Sequence, residues 1–301
     1  MSGKPTIKDV LVIGGGPAGL SAALYLGRAR KSVVVLDRGN PRHAPSEGVH
    51  NFLTREGIAP AALRTIAWEQ MAAYPTVSRH EISVDALKYD GKLWHATSES
   101  GEGFAAPAVV LATGMVDENP SIPGFDTRWA HSIHHYPFCH GWEMQDRPLA
   151  ALCDGAAAAH YAPLLHNWSD DVVLLTGGAP LPDEARATLV EAKIPIYESP
   201  VVGLEGAGRN LERIQLADGT TLERTGLFVK PTQHQCALIT QVGVELNDSG
   251  FVAVDAQQAT SLPMLWAAGD LCSGFQQVVG AAAQGALAGA MIVATFTRPP
   301  A

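Results

Sequence analysis

The sequence predicts an α/β protein built from two Rossmann-like, three-layer nucleotide-binding domains, one of them discontinuous. Three observations predict this architecture. A strand, a glycine-rich turn and a helix follow one another near the start of the chain, the same order returns in the middle, and a further strand and helix close the sequence. At 301 residues the chain is long enough to form two cores of ordinary size.

The first unit begins with the apolar run DVLVI at residues 9–13, which is followed by GGGPAG and by a stretch of helical composition at residues 21–30. A second apolar run, SVVVL at residues 32–36, ends at Asp37. Short apolar runs of this length, separated by glycine and by a helical stretch, predict strand, turn, helix and strand. The run PAVVLATG at residues 107–114 predicts another buried strand of the same unit.

The pattern begins again near Arg147 with PLAALCDG, AAAAHYAPLLHNW and DDVVLLTGG, which together repeat the unit. Because the repeat covers only the middle of the chain, the middle domain is predicted at residues 117–243. The first domain then comprises residues 1–116 and 244–301, and its second segment contains the strand PMLWAAGD and an alanine-rich helix from about Gln276.

Composition narrows the range of partners and compartments. The chain has 21 basic and 30 acidic residues, and its formal charge of −9 repels phosphate backbones and anionic lipids, so neither nucleic acid nor a membrane is expected as a partner. We expect no signal peptide and no transmembrane segment, because the weakly polar stretch at residues 278–296 contains Gln284 and many small residues. The wide spacing of the four cysteines fits a reducing cytoplasm.

The strongest local motif is the GxGxxG turn formed by Gly14, Gly16 and Gly19. In a dinucleotide fold the first glycine allows the sharp turn, the second lets the backbone approach a pyrophosphate, and the third allows helix and strand to pack closely. The N-terminus of the helix then supplies N–H groups to the phosphates, and Asp37 can accept both ribose hydroxyls. The alternative is a glycine turn with no binding role, and the motif alone leaves FAD and NAD open.

Two later segments favour FAD. ATG closes one strand at residues 112–114, and AAGD ends a distant strand at Asp270, where an acid can hold the ribityl or pyrophosphate part of an extended flavin. Behind it, Gln276, Gln277 and Val278 can direct a helix N-terminus at the flavin pyrimidine carbonyl, where negative charge gathers on reduction. An ordinary strand-loop-helix crossover is the alternative interpretation.

Taken together, GGGPAG, ATG, TSLPMLWAAGD and QQVVGAAAQGALAG resemble the FAD-domain motifs of the thioredoxin reductase family of flavoproteins, in the right order over nearly the whole chain. The resemblance implies a middle domain that binds NAD(P)H and carries a CxxC dithiol facing the flavin, and it implies a homodimer. The residues predicted to bind FAD are Gly14, Gly16, Pro17, Ala18, Gly19, Asp37, Arg38, Thr113, Gly114, Gly269, Asp270, Gln277 and Val278.

The segment SIHHYPFCHGWE at residues 132–143 lies where the family has its dithiol. It looks most like the branch that acts on dithiols of small natural products, whose motif is CxxCH. Tyr136 stands at the position of the first cysteine, and Cys139 matches the cysteine that faces the flavin. Because a dithiol cycle needs two sulfurs within bonding reach, ordinary thioredoxin reduction is not expected.

We predict that Cys139 and His140 carry the chemistry and that Tyr136 and His135 line the pocket. A Cys139 thiolate could donate charge to the oxidised flavin or add to it transiently, with His140 as a base; the alternative is an inert, inherited cysteine. His134, His135, Cys139 and His140 are also metal-ligand types, but no second cluster completes a site, so no metal is expected. The histidines are instead interpreted as polar groups lining a pocket or as solvated loop residues.

The second nucleotide site is altered in the sequence. CDGAAA places Cys153 and Asp154 where glycines normally admit a pyrophosphate, and only Gly155 remains. TGGAP at residues 176–180 lacks the basic residues that the family uses for a 2′-phosphate, and Pro163 interrupts the following helix. We therefore expect NAD(P)H binding to be weak or absent.

These observations predict an FAD-dependent oxidoreductase of thioredoxin reductase-like fold that lacks the CxxC dithiol and acts on a small molecule or a redox protein at the flavin face. Electrons would come from the substrate and leave to oxygen or to another redox protein. Two alternatives stay open: a flavin-binding protein without turnover, used for sensing or interaction, and a disulfide reductase that uses a distant second thiol.

Overall fold

The computed structural model describes residues 5–297, which form two compact units. Unit 1 comprises the residues up to 44, residues 51–116 and the residues from 233 onward, and unit 2 comprises residues 45–50 and 117–232. These ranges differ from the expected domain limits at residues 45–50 and 233–243. The domain limits themselves, as boundaries of independently folding parts, stay a prediction.

Strands and helices alternate in two parts of the chain, and runs of consecutive strands occupy residues 77–118 and 196–234. The strands are β1 (Thr6–Ile7), β2 (Val10–Ile13), β3 (Val33–Leu36), β4 (Val77–His80), β5 (Val84–Tyr89), β6 (Trp94–Ser98), β7 (Gly103–Ala106), β8 (Ala108–Leu111), β9 (Val116–Glu118), β10 (Ile133–His134), β11 (Leu149–Leu152), β12 (Val172–Leu175), β13 (Ile196–Tyr197), β14 (Val201–Glu205), β15 (Arg213–Leu216), β16 (Thr221–Glu223), β17 (Gly226–Val229), β18 (Thr232–His234) and β19 (Leu265–Ala267). The α-helices are α1 (Pro17–Arg28), α2 (Pro60–Met71), α3 (Phe125–Arg128), α4 (Pro137–His140), α5 (Ala158–Leu164), α6 (Asp183–Glu191), α7 (Ala237–Val242) and α8 (Val278–Thr297). Short 3-10 helices occupy Trp142–Met144, Gly155–Ala157, Leu165–Asn167 and Asp270–Cys272.

The centre of unit 1 is a parallel sheet in the order β19-β8-β2-β3-β4. Its inner strands are apolar at every position because both faces are covered. One face packs against α1 and α8 through residues such as Val10 and Val12. The other packs through Leu11 and Ile13 against the smaller sheet β1-β7-β6-β5, which contributes Phe104. Three layers result, as the sequence predicts.

Unit 2 repeats the arrangement with a parallel sheet in the order β10-β17-β11-β12-β13. Leu149 and Leu174 point to the core beneath α5 and α6, and Val173 and Leu227 point to the core beneath the antiparallel sheet β14-β15-β16. The strands predicted at PLAALCDG and DDVVLLTGG are β11 and β12. The fold class predicted from the sequence is therefore confirmed.

The middle helix is shorter than the sequence repeat suggests. Residues 156–168 form a 3-10 turn, the seven-residue α5 and a second 3-10 turn instead of one continuous helix. Pro163 lies inside α5, and the helix ends one residue later, at Leu164. Since proline removes a backbone donor and crowds the preceding turn, Pro163 weakens this short helix.

Helix α8 is long and apolar enough to cross a membrane, with a mean hydropathy of 1.7. However, Ala281, Gly285, Ala288 and Ile292 are buried in the core of unit 1. A side-chain carbon added at Gly285 would lie 1.9 Å from the carbonyl oxygen of Ala18 in α1. Because this packing belongs to a core helix, α8 is not a convincing membrane span.

Replacing Gly285 by alanine tests the close approach of α8 and α1. We expect Gly285→Ala to lower the free energy of unfolding by about 2 kcal/mol or more, because the added methyl group would collide with backbone that cannot move aside. Gly280→Ala in the same helix is the control, since there the nearest atoms belong to the half-exposed side chain of Phe275. Urea denaturation measures both variants, and equal stabilities would contradict the packing.

Candidate functional site

The glycine turn of unit 1 has the geometry that its sequence predicts. Gly14 has φ +111°, and a side chain there would meet the carbonyl oxygen of Ala112 at 2.2 Å. A side chain at Gly19 would meet the carbonyl oxygen of Gly14 at 1.9 Å, whereas one at Gly16 would find nothing within 4 Å. Gly14 and Gly19 are thus required by the protein itself. Gly16 borders open space, where backbone can approach a ligand.

The carboxylate of Asp37 follows the end of β3 and is already paired. The guanidinium of Arg64 donates to Asp37 Oδ2 and, at 3.1 Å, to the carbonyl of Gly39. Gly15 leaves room for this carboxylate, because a side chain there would lie 2.5 Å from Asp37 Oδ2. Arg64 therefore occupies one of the two Asp37 oxygens that we expected to bind ribose. Arg38, which follows Asp37 in the chain, is exposed.

Two further strand ends belong to the same edge of the sheet. Thr113 and Gly114 follow β8, and Gly114 has φ +67°. Gly269 follows β19 with φ +98°, and its N–H donates to the side chain of Gln284 at 2.7 Å. Neighbouring parallel strands end at one edge, so the residues after β2, β3, β8 and β19 are brought to that edge together.

The start of α8 is held by a polar network. Arg42 donates to Gln276 at 2.7 Å and lies 3.3 Å from the carboxylate of Asp270. Gln276 in turn exchanges two hydrogen bonds with Gln233. Gln277 is buried, and its carbonyl accepts the N–H of Ala281, so the helix begins at Val278, two residues after the start expected from the sequence. Pro17 and Ala18 are the first two residues of α1, and the carbonyl of Gly16 before them accepts the N–H of Leu20.

The polar atoms of this edge fit a dinucleotide cofactor. The Thr113 hydroxyl, the Arg64 Nε atom and the His43 Nε2 atom are buried and have no hydrogen-bond partner among residues 5–297. Such atoms are costly unless a ligand or water satisfies them. Together with the open space at Gly16 and the N-terminus of α1, they suit the phosphates and hydroxyls of an extended cofactor.

Unit 2 carries the predicted cysteine on the short helix α4. Tyr136 immediately precedes this helix, and its carbonyl accepts the N–H of Cys139 at 2.9 Å. The two residues thus lie on one turn, at the spacing of a CxxC pair. Burial and the neighbouring Cys139 raise the pKa of the Tyr136 phenol, so it stays protonated at neutral pH. None of the four cysteines, which all lie within residues 5–297, forms a disulfide.

His140 is surrounded by aromatic and polar partners. Its Nε2 atom lies 3.1 Å from the Ser46 hydroxyl. Its ring stacks on His134, with centroids 4.2 Å apart, and meets His50 edge-on at 5.7 Å. Burial, assisted by the nearby His50, lowers the pKa of His140 to about 4, against an opposing effect of Glu47. The imidazole is therefore neutral near pH 7 and can accept a proton.

His134 is a core residue. It is 3% exposed, and neither ring nitrogen meets a partner with hydrogen-bond geometry, although the His131 backbone weakly favours protonation. Burial, and next to it the neighbouring His140, lower the pKa of His134 well below 6.5. The expectation that it lines a pocket or is solvated is wrong, because the strand β10 turns its side chain inward against Phe228.

A tyrosine side chain of α5 holds the backbone that precedes Cys139. Tyr161 in α5 donates its hydroxyl to the carbonyl of His135 and also contacts the carbonyl of Val229 at 3.0 Å. Burial raises the pKa of Tyr161 well above 10, so the hydroxyl keeps its proton. His135, predicted to line the pocket, is half-buried and is placed by this contact.

The second glycine turn leads into a 3-10 turn and not directly into an α-helix. Gly155 opens a 3-10 turn, and the helix behind it has only seven residues. Burial raises the pKa of the Cys153 thiol to about 11, and the adjacent Asp154 is exposed. The expectation of weak or absent NAD(P)H binding stays a prediction, for which this local geometry is the physical basis.

Aromatic side chains surround the turn that carries Cys139. Phe138 is 49% exposed and Trp142 is 70% exposed. The ring of Phe138 contacts those of Tyr136, at 5.6 Å, and Trp168, at 5.5 Å. Phe138, Tyr136 and Trp168 thus form an aromatic cluster, and the exposed ring of Phe138 and the separate exposed ring of Trp142 are available to a binding partner. Within residues 5–297 no group of three or more His, Cys, Asp or Glu side chains could hold a metal ion.

Several functional neighbours escaped the sequence analysis. Arg64, Arg42, Ser46 and His50 lie in segments without a motif, and their partners are distant in sequence. For Ser46 and His50, the polar loop HAPSEGVH at residues 43–50 could have drawn attention, whereas no sequence feature marks Arg42 or Arg64.

Two Rossmann-type units, one with a dinucleotide turn at the edge of its sheet and the other with a cysteine-bearing turn, define a nucleotide-dependent oxidoreductase of the two-domain class. The family model described as pyridine nucleotide-disulphide oxidoreductase matches residues 8–285. The chain belongs to this family, in its thioredoxin reductase-like, FAD-binding branch.

Individual relatives agree with this assignment. The thioredoxin reductase aclD of Aspergillus oryzae is 30% identical over 299 residues, covering 95% of both chains. A solved structure, the putative thioredoxin reductase TrxB of Bacillus anthracis, has a TM-score of 0.91 at 33% identity and covers 96% of this chain and 98% of its own. The structure of HlmI has a TM-score of 0.91 at 35% identity and covers 98% and 94%.

The two stacked histidines predict a loss of stability in acid. Their pKa values are lowered in the folded protein, so below pH 6.5 the unfolded chain binds protons that the folded chain does not. The free energy of unfolding should fall as the pH falls from 6.5 to about 4. His134→Phe should reduce the loss between pH 7 and pH 5 by about 2 kcal/mol.

Urea denaturation of the whole protein at pH 7 and pH 5 measures this difference. His160→Phe is the matched control, because it removes an exposed histidine of α5 in the same unit. An unchanged pH dependence in His134→Phe would show that His134 titrates normally in the folded protein.

Proposed function

We propose that this protein is an FAD-dependent oxidoreductase that works without a paired-cysteine relay and acts on a small molecule or a redox protein at the flavin face. The observation that carries the proposal is Tyr136, which stands on the same turn as Cys139, where a dithiol needs its first sulfur. A single thiol cannot form the internal disulfide of a dithiol cycle.

The flavin would be held at the carboxyl edge of the unit 1 sheet. Gly14, Gly16 and the start of α1 suit its pyrophosphate, and the carboxylates of Asp37 and Asp270 suit its hydroxyls. When bound, FAD supplies a two-electron acceptor that can pass electrons on singly or in pairs. Gln277 and the N-terminus of α8 would favour the negative charge that gathers on the flavin when it is reduced.

The residues of unit 2 would manage protons and substrate. Near pH 7 neutral His140 has a lone pair that can accept a proton transiently from the Cys139 thiol or from a bound substrate, and its pKa of about 4 makes it a weak base that readily gives the proton up again. The protonated phenol of Tyr136 can donate a hydrogen bond, and His135 lies beside it, with ring centroids 6.2 Å apart. The exposed rings of Phe138 and Trp142 offer a surface for an apolar or aromatic partner.

Electrons would enter from the substrate and leave to oxygen or to another redox protein. The proposal includes weak or absent NAD(P)H binding, which is supported by the 3-10 turn at Gly155 and the exposed carboxylate of Asp154. It also includes a homodimer in the cytoplasm, by analogy with the family. No nucleic-acid or membrane partner is proposed.

A flavin-binding protein without turnover is the second candidate. It is favoured by two differences from the family pattern: the sequence has Tyr136 in place of the first cysteine of the dithiol, and its second glycine turn retains only Gly155. Anaerobic bleaching of the bound flavin by candidate donors, followed by recovery in air, would support the oxidoreductase. Flavin that never cycles would support the second candidate.

A disulfide reductase with a distant second thiol is the remaining alternative. Burial raises the pKa of Cys153 to about 11 and that of Cys272 to about 12, so both are poor partners in thiol exchange. Cys236 is half-buried. Alkylation mapping after reduction and reoxidation would identify any pair that Cys139 forms.

Replacing Gly16 by alanine tests the cofactor site. We expect Gly16→Ala to fold with unchanged stability, because a side chain there meets no protein atom within 4 Å. Its FAD content should nevertheless fall by about tenfold or more, because the methyl group would occupy the space of the pyrophosphate. The control is Gly103→Ala, where the nearest atom outside the strand lies 3.6 Å away. Full FAD content in Gly16→Ala, or a colourless wild-type protein, would refute the site.

Restoring the missing sulfur tests the role of Tyr136. With dithiothreitol as the dithiol and oxygen as the acceptor, Tyr136→Cys should raise flavin-dependent dithiol oxidation by about an order of magnitude, because it recreates a disulfide-forming pair. Tyr136→Ser is the control that removes the phenol without adding a thiol. An equal rise in both variants would mean that Tyr136 acts by blocking access.

A further inference from the structure

Polar side chains of residues 45–50 contact other parts of unit 2. The Ser46 hydroxyl lies 3.1 Å from His140 Nε2, and the Glu47 carboxylate lies 2.7 Å from His131 Nδ1. His50 Nε2 lies 3.6 Å from the carboxylate of Glu143. The first of these contacts reaches the imidazole that we propose as a base, so its chemistry determines which ring nitrogen can act.

The Ser46 hydroxyl has only one proton to donate. Its oxygen lies 2.8 Å from the carbonyl of Gly48, and a carbonyl can only accept, so the proton is committed there. Toward His140 the same oxygen can therefore only accept, at 3.1 Å. His140 must then carry its proton on Nε2, and its lone pair is left on Nδ1.

The rings around His140 keep its orientation. His134 stacks on one face, with an interplanar angle of 15° and a centroid distance of 4.2 Å. His50 meets the ring at 79°. A rotation that exchanged the two nitrogens would have to displace these neighbours. The neutral state of His140 near pH 7 makes the position of its single proton the decisive variable.

We infer that Ser46 is a positioning residue: its hydroxyl, committed to the Gly48 carbonyl, fixes His140 as the Nε2–H tautomer and presents Nδ1 as the proton acceptor. This inference rests on the proposed function, in which His140 serves as the base. In the step that this tautomer supports, one proton moves from the Cys139 thiol or from the substrate to His140 Nδ1. No electrons are transferred to the imidazole in this step.

Removing the hydroxyl should release the tautomer. In Ser46→Ala the Nε2–H group loses its acceptor, and we expect the ratio of the two tautomers to shift by about fivefold, the effect of one hydrogen bond. Ser46→Thr keeps a hydroxyl and should keep the wild-type tautomer. Ser78→Ala is the control, because it removes a half-buried hydroxyl that donates to the carbonyl of Val33 and contacts no histidine in the described chain.

The tautomer can be read directly by nitrogen-15 NMR of the full-length protein with labelled histidine rings, and His140→Asn assigns the signals. The wild type, Ser46→Thr and Ser78→Ala should each show a protonated Nε2 and an unprotonated Nδ1, and Ser46→Ala should show a mixture. A wild-type His140 protonated on Nδ1, or a tautomer unchanged in Ser46→Ala, would overturn the inference.

A second readout separates the inference from the proposed function. The alkylation rate of Cys139 by iodoacetamide, measured by peptide mapping, should fall in Ser46→Ala in proportion to the Nε2–H population that nitrogen-15 NMR reports, by less than about fivefold, and should fall further in His140→Asn. If His140→Asn leaves the rate unchanged while the NMR signals behave as expected, the assignment of Ser46 stands and His140 is not the base for Cys139.

Discussion

Direct contact between backbone and backbone, with no side chain between, is the constraint on which unit 1 depends. Gly14 lies against the carbonyl of Ala112, Gly19 against that of Gly14, and Gly285 against that of Ala18. The first two contacts fix where the strand ends and the helix begins, and the third brings the last helix onto the first. The carboxyl edge of the sheet is thereby kept open for a cofactor, because no side chain of the turn fills the space at Gly16.

The sequence predicts this part of the molecule well because its information is local. A run such as VVVL, apolar at every position, indicates a strand covered on both faces, and glycine at fixed spacing indicates a tight turn. The ion pair of Asp37 with Arg64 was missed because it joins residues 27 apart through the sheet order. His134 was misread as a pocket or solvated residue because a strand of two residues is too short to show a burial pattern.

Unit 2 has the same sheet arrangement as unit 1, but the segment after its first central strand has a different local structure. Where the family places a dinucleotide turn, this chain has a 3-10 turn and a helix broken near Pro163. Tyr161 of that helix instead reaches the carbonyl of His135 and supports the turn before Cys139. The turn at Gly155 is thus physically linked to the cysteine-bearing turn, because the helix α5 follows the first and supports the second.

The tyrosine before α4 also bears on the durability of the protein. If electrons leave to oxygen, the protein produces peroxide, which attacks thiolates rather than protonated thiols. Cys153 and Cys272 are protected by burial, which keeps them protonated. Cys139 shares its turn with a phenol, so a sulfenic acid formed there has no sulfur on that turn to capture it as a disulfide. Further oxidation would then be irreversible, and each chain would have a finite number of turnovers in air.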